Sequence, residues 1–267
     1  MISKHDSQVV ITSRANAVFK RLFSLQTSKG IRENGVFLAG GEKIAEEILR
    51  DNRQSVIALI RTPDMPPGRA GAEEIIFSKE RFRDLNLLGT SGPLLELRLP
   101  AMALFNAAAP WPEGCSLFIP FGDPENIGAV IRSAAGLGVG RVVLLREAAC
   151  PFLPRAVRAS AGALLRMRLE SGPGLSEIAA LSAKIPFYAL DMGGRPLTNI
   201  IWPPVFGLVA GMEGAGLPAG IKAKAAPVSI PLEKGVDSLN AAAAVAIALW
   251  DWKAKNVPPA SDRNIQR

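Results

Sequence analysis

Val205-Phe206-Gly207-Leu208-Val209-Ala210 runs directly into Gly211-Met212-Glu213-Gly214-Ala215-Gly216-Leu217, and this junction decides how the chain reads. Six apolar residues with no polar alternation describe a strand buried on both faces, as in parallel sheets covered by helices on each side. The run then breaks into glycines, which permit positive φ and close approach of backbone to a ligand. In open α/β sheets, ligands lie beyond the carboxyl ends of the strands. Taken alone, the G-x-E-G-x-G loop reads equally well as a plain glycine turn.

Working outward, strand and helix patterns alternate in both directions, the signature of an α/β fold. Strands are expected at 116–121, 141–145, 163–169, 186–190 and 226–231. Helices are expected at 125–137, 152–159, 174–184 and, as the long final element, 237–252. Gly136-Leu137-Gly138-Val139-Gly140 follows a helical pattern and leads into a strand, so it reads as a helix-to-strand turn and not as a dinucleotide fingerprint. A second alternating series lies upstream, with helices at 16–25, 42–49 and 79–88 and strands at 36–38, 55–60, 74–77 and 94–99. The expected organisation is an α/β unit over 1–100, a linker over 101–114 rich in proline and alanine, a second α/β domain over 115–254, and a disordered tail over 255–267.

Composition removes several classes of chemistry. Of 267 residues, only one is histidine, His5, so Ser-His-Asp and Cys-His catalysis are excluded. No phosphate-binding G-x-x-x-x-G-K-[ST] loop occurs, and Cys115 and Cys150 share no ligand spacing, so no metal is expected. No apolar stretch reaches the ~20 residues of a bilayer span. Met1-Ile2-Ser3-Lys4-His5-Asp6 has no apolar core behind its lysine, so no signal peptide is expected. Two isolated cysteines fit a reducing cytoplasm. The net charge of +7 points toward a polyanionic partner. Between positions 4 and 32, Lys4, Arg14, Lys20, Arg21, Lys29 and Arg32 face the single acid Asp6; Arg155, Arg158, Arg166 and Arg168 form a second cluster. Each cluster also reads as a solvated face.

Three strand-end segments share one design, an apolar strand leading into a loop of glycine, asparagine, serine or acid. The first is Asp123-Pro124-Glu125-Asn126-Ile127-Gly128, with Arg132 further along. Asp123-Pro124 is a strong helix start, and Glu125 suits the helix dipole. Arg132 stands in an otherwise apolar helix and alone reads as a surface arginine. The second is the glycine loop 211–217. The third is Ile230-Pro231-Leu232-Glu233-Lys234-Gly235-Val236-Asp237-Ser238-Leu239-Asn240, where Ser238 and Asn240 are both helix-start residue types.

In this order the three segments resemble the motifs of the SpoU/TrmH family of SPOUT RNA ribose methyltransferases. N-x-G-x-x-x-R-x-A is matched from Asn126 through Gly128 and Arg132 to Ala134, and G-x-E-G-x-G-L by Gly211 to Leu217. I-P-[ML] followed by S-L-N is matched by Ile230, Pro231, Leu232 and Ser238, Leu239, Asn240; R-A-S-x-G-A is matched at Arg158 to Ala163. The similarity reaches upstream to Ser13-Arg14-Ala15-Asn16 and Gly35-Val36-Phe37-Leu38, which look like the ribosomal-protein-like RNA-binding domain of many members. Where relatives have Glu-Gly after that strand, this chain has Gly40-Gly41.

The resemblance implies a trefoil-knotted SPOUT domain with a mostly parallel sheet, preceded by a small α/β RNA-binding domain. It implies S-adenosylmethionine as cofactor and 2′-O-methylation of ribose in RNA, with ribosomal RNA favoured by the N-terminal domain. Arg132, Asn126, Glu213, Ser238 and Asn240 are then the expected catalytic set. Gly211, Ile230, Leu239, Leu190 and Leu232 would hold the cofactor, and Arg14, Lys20, Arg32 and Arg158 the RNA. A homodimer is expected in the cytoplasm. A tRNA ribose methyltransferase and a non-catalytic RNA-binding protein of the same fold are the alternatives. Methyl transfer from a sulfonium needs alignment and proton removal more than an acid or a metal, which suits a chain so poor in histidine.

Overall fold

The computed structural model describes residues 9–68, 72–87, 89–212 and 217–256. They form two compact units. One holds the described residues up to Ala101 together with Cys150–Gly162; the other holds Met102–Ala149 and the described residues from Ala163 onward.

The first unit begins with β1 (Val10–Ile11), α1 (Ala17–Ser24), α2 (Ser28–Asn34), β2 (Val36–Gly40) and α3 (Glu42–Asp51). It continues through β3 (Val56–Arg61), β4 (Glu73–Phe77), α4 (Lys79–Leu85) and β5 (Leu94–Arg98). The sheet order is β1-β4-β3-β5-β2, with β5 antiparallel to both neighbours. Asn16 starts α1 by accepting from the Val18 and Phe19 amides. Helix α2 was not expected from the sequence, because it buries only Gly30 and Ile31 and so has no apolar stripe. Thr27 caps its start, and Gly35 closes it in the left-handed region at φ 64°. Inside this unit Arg21 forms a bidentate pair with the buried Glu96 of β5.

The second unit contains β6 (Ala103–Leu104), β7 (Gly114–Ile119), α5 (Pro124–Leu137) and β8 (Arg141–Leu144). After α6 (Pro154–Ser160) come β9 (Leu169–Ser171), β10 (Phe187–Pro196), β11 (Val205–Val209), α7 (Ala219–Lys222), β12 (Ala226–Ser229) and α8 (Ala241–Asn256). Among the described residues its strands make one seven-stranded sheet, β12-β10-β11-β7-β8-β9-β6, parallel at every pairing. Both faces are covered, as the unbroken apolar run of β11 predicts. On one face Val209 joins Phe118, Phe187, Leu175, Ile178 and Ile221. On the other, Phe206 meets Trp252 of α8 at a ring separation of 5.8 Å. Gly207 is small of necessity: a Cβ there would lie 2.5 Å from the Phe187 ring.

Several expectations need correction. The stretch 101–114 is not a plain linker: β6 pairs with β9, and Phe105 and Trp111 pack on the core. These two rings clamp the Arg141 guanidinium at 4.9 and 4.3 Å, where it also bonds Ser116 and faces Glu170. A strap anchored by isolated aromatics has no apolar period to read. The expected strand at 163–169 is a 3-10 turn (Ala163–Leu165) followed by β9, since Ala161 and Gly162 turn the chain through left-handed conformations. The final helix starts at Ala241, not 237, because Asn240 caps it by accepting from the Ala242 and Ala243 amides. It also extends past Lys255, whose Nζ bonds the carbonyls of Leu197 and Ile200 at 2.7 and 3.2 Å. Residues 257–267 lie outside the described ones.

Helix α6 was expected within the second domain, yet Cys150–Gly162 belongs to the first unit. The reason is apolar: Phe152 packs against Phe37 of β2 at 4.9 Å, and Pro154, Ala156 and Val157 are buried. Helix α6 thereby contacts β2, one of the two edge strands of that sheet.

Candidate active site

Three strand ends of the second sheet open into one cavity. Its volume is about 650 Å3, within the ~300–1,000 Å3 of small-molecule pockets. Strand β10 contributes Leu190, Asp191 and Met192; the end of β11 contributes Ala210, Gly211 and Met212. From β12 and beyond come Val228, Ser229, Ile230, Leu232 and the run Asp237 to Ala241. Asn126 completes the wall from the first turn of α5. All five residues expected to hold the cofactor, Gly211, Ile230, Leu239, Leu190 and Leu232, line this space.

Local rules explain how the walls are held. Asp123 accepts from the Glu125 amide at 3.1 Å and Pro124 sets the first turn of α5, which fixes where Asn126 points. Asn240 has two jobs. Its Oδ1 caps α8, and its Nδ2 donates to Asn126 Oδ1 at 2.9 Å. The first and third sequence segments, 114 positions apart, are thus joined by one side-chain hydrogen bond at the cavity rim.

Ser238 lines the cavity and is exposed. Arg132 lies six residues beyond Asn126, ~9 Å along the helix axis; it is exposed on α5 and is not among the lining residues. Glu213 lies outside the described residues. The four expected RNA contacts all fall in the first unit. Lys20, Arg32 and Arg158 are exposed there, whereas Arg14 makes a bidentate bond to Asp84 at 3.2 and 3.0 Å.

Sequence reasoning missed Asp191 and Lys222. Both line the cavity and pair at 2.5 Å. The Lys222 bond, followed by the Gly193 amide, holds the Asp191 carboxyl below its ordinary value. A signal was present: Tyr188-Ala189-Leu190-Asp191-Met192-Gly193-Gly194 repeats the design of an apolar strand ending in an acid and glycines.

A parallel α/β sheet whose three adjacent strand ends open into one cavity has the architecture of a small-molecule-binding α/β domain. The SpoU rRNA Methylase family profile matches residues 118–250, from β7 into α8. Ribosomal RNA small subunit methyltransferase G 2 of Syntrophobacter fumaroxidans is 41% identical over 246 residues, 91% of this chain but 48% of its own length. The chain therefore spans about half of that relative. The 23S rRNA (guanosine(2553)-2'-O)-methyltransferase RlmP of Bacillus subtilis is 27% identical over 249 residues, covering 90% of this chain and 97% of its own. The crystal structure of AdoMet-bound rRNA methyltransferase from Sinorhizobium meliloti shares the fold, with a TM-score of 0.77 at 21% identity over 94% of this chain and 99% of that one. The chain belongs to the SpoU rRNA methylase family of RNA methyltransferases.

Proposed function

We infer that this protein uses S-adenosylmethionine to methylate a ribose 2′-hydroxyl in RNA, and that the RNA is ribosomal. The observation that carries the reading is the Asn126–Asn240 bond at the rim of a cavity walled by Gly211, Ile230 and Leu239. The cofactor supplies a methyl group on a sulfonium, which leaves as a neutral thioether, so no acid is required on the departing side. The apolar walls, Leu190, Val228, Ile230, Leu232 and Leu239, suit an adenine ring and exclude water. Asn126, Ser238 and Asn240 stand at the open side, where they would orient the ribose. Arg132 on the same helix as Asn126 would orient the hydroxyl and an RNA phosphate, or assist removal of its proton; Glu213 would position it. A guanidinium is protonated at almost any pH, so orientation is the lighter demand.

The segment from β11 through the start of α8 is the part we read as the trefoil knot. The first unit would dock RNA through Lys20, Arg32 and Arg158, with Arg14 contributing if it leaves Asp84. We also propose a homodimer, supported by Ile247 and Trp250, which stand exposed on α8. We propose a cytoplasmic location as well, supported by the ribosomal RNA reading and by two free cysteines, Cys115 and Cys150.

The test is transfer of labelled methyl groups to total RNA, followed by mapping of ribose-methyl stops. Label in ribosomal RNA with an alkali-resistant linkage is expected. Arg132→Ala should lower turnover by at least ~100-fold, the scale of a lost positioning group, while cofactor binding is kept. Full turnover in that variant, or label confined to tRNA, would refute the corresponding part.

A further inference from the structure

Asp191 and Lys222 belong to none of the three motifs, yet they supply two of the charges on the cavity wall. Asp191 sits in a bulge of β10, between Leu190 and Arg195, both of which register with Val228 of β12. The bulge is tightly held. Asp191 Oδ1 accepts from the Gly193 amide at 3.0 Å, and Ser229 Oγ donates to the Gly194 carbonyl at 2.8 Å. A Cβ on Gly194 would stand 2.4 Å from the Val228 nitrogen, so the bulge lies against the β12 backbone. Lys222, the last residue of α7, reaches Asp191 Oδ2 from the other side.

These bonds leave a defined remainder. An ionised carboxylate offers about four lone-pair sites, two on each oxygen. The Gly193 amide takes one on Oδ1 and the Lys222 ammonium one on Oδ2, which leaves one acceptor site on each oxygen. That pair of acceptors matches a vicinal diol, which brings two adjacent O–H donors. Directly beside it lie Leu190, Ala210 and Val228, an apolar surface suited to a nucleobase. A base attached to a sugar bearing two hydroxyls is the chemistry these neighbours fit together.

We propose that Asp191 binds the ribose 2′,3′-diol of the cofactor's adenosine, and that Lys222 is a positioning residue that fixes the carboxylate for this bond. The inference rests on the cofactor reading above.

Calorimetry on the full chain with S-adenosylhomocysteine, 5′-methylthioadenosine and its 2′-deoxy counterpart tests it. 5′-Methylthioadenosine keeps the diol and lacks the amino-acid end. D191N should weaken the first two ligands by the same factor, about ten-fold, as for a lost hydrogen bond to a charged group. In the unaltered protein the 2′-deoxy ligand should already bind several-fold more weakly than 5′-methylthioadenosine, and D191N should narrow that gap. K222M should raise KM for the cofactor several-fold with kcat little changed, and K222R should restore it. If D191N weakens S-adenosylhomocysteine alone, the pair serves the amino-acid end and the proposal is wrong. Equal affinity of the unaltered protein for the deoxy and full ligands overturns it without recourse to any variant. No heat with any of the three ligands would sink the cofactor reading itself, and this inference with it.

Discussion

At the scale of single residues, Asn240 holds a helix start and the Asn126 side chain through different atoms of one amide. Its oxygen caps α8 and its nitrogen reaches Asn126. Asn240→Ala removes both and should cost about 1 kcal/mol of stability, the usual value of a cap, together with most activity. Asn240→Asp keeps a capping oxygen and loses the donor to Asn126. Its thermal midpoint should stay near that of the unaltered protein while methylation falls at least ~10-fold; equal loss of both would mean the Asn126 bond carries no separate function. Asp191 gives a pH signature of a different kind. Its folded pKa is depressed, chiefly by the Lys222 hydrogen bond, so its contribution is complete above the ordinary aspartate value of ~3.9 and is lost as pH falls through the folded value. Cofactor affinity attributable to this group should therefore stay flat from neutrality down to about pH 4 and decline only below that, as the carboxylate takes up its proton. A D191N variant with the same profile as the parent would show that another group governs the acid limb.

At the scale of elements, the bulge in β10 and the capped start of α8 are the two irregularities that shape the cavity. Gly194→Ala tests the first, because its Cβ has no room beside the Val228 backbone. The strand must shift, at a cost of ~1–3 kcal/mol as for other overpacked sites. We expect a lower melting temperature and, since Asp191 moves with the bulge, weaker cofactor binding. Unchanged affinity in a destabilised protein would separate the two effects. Elements of this kind mark where sequence reading stopped. The β11 run and the Asp123-Pro124 start of α5 were legible because each follows from local chemistry, unbroken burial and a proline at the first turn; the three motif loops were legible only through their joint resemblance to a family's motifs. The strap of β6, Phe105 and Trp111 was not, since two aromatics clamping Arg141 leave no period. Helix α6 was read as a helix, but its membership of the first unit depends on Phe152 meeting Phe37, a contact 115 positions apart that no pattern announces. Asp191 was within reach, one residue past Leu190, but its partner Lys222 lies in another segment.

At the scale of the whole molecule, the two units divide the labour proposed for them, recognition in the first and transfer in the second. Assembly is the open physical question at this level. Ile247 and Trp250 lie three residues apart on α8, 41% and 62% exposed, and so share one helix face. If that face is the dimer interface, Trp250→Glu should take the solution mass from two chains to one by light scattering at micromolar concentration, with the melting transition retained. A parent protein that runs as one chain would dismiss the dimer.

Helix α8 also has a mechanical property. At 16 residues it is a rod of about 24 Å, and it is tied at both ends, by Asn240 to the first turn of α5 and by Lys255 to the carbonyls of Leu197 and Ile200. Helix ends ordinarily fray; here neither is free to. The 197–200 turn and the rim of the cavity are therefore joined to opposite ends of one strut, about 24 Å apart along its axis.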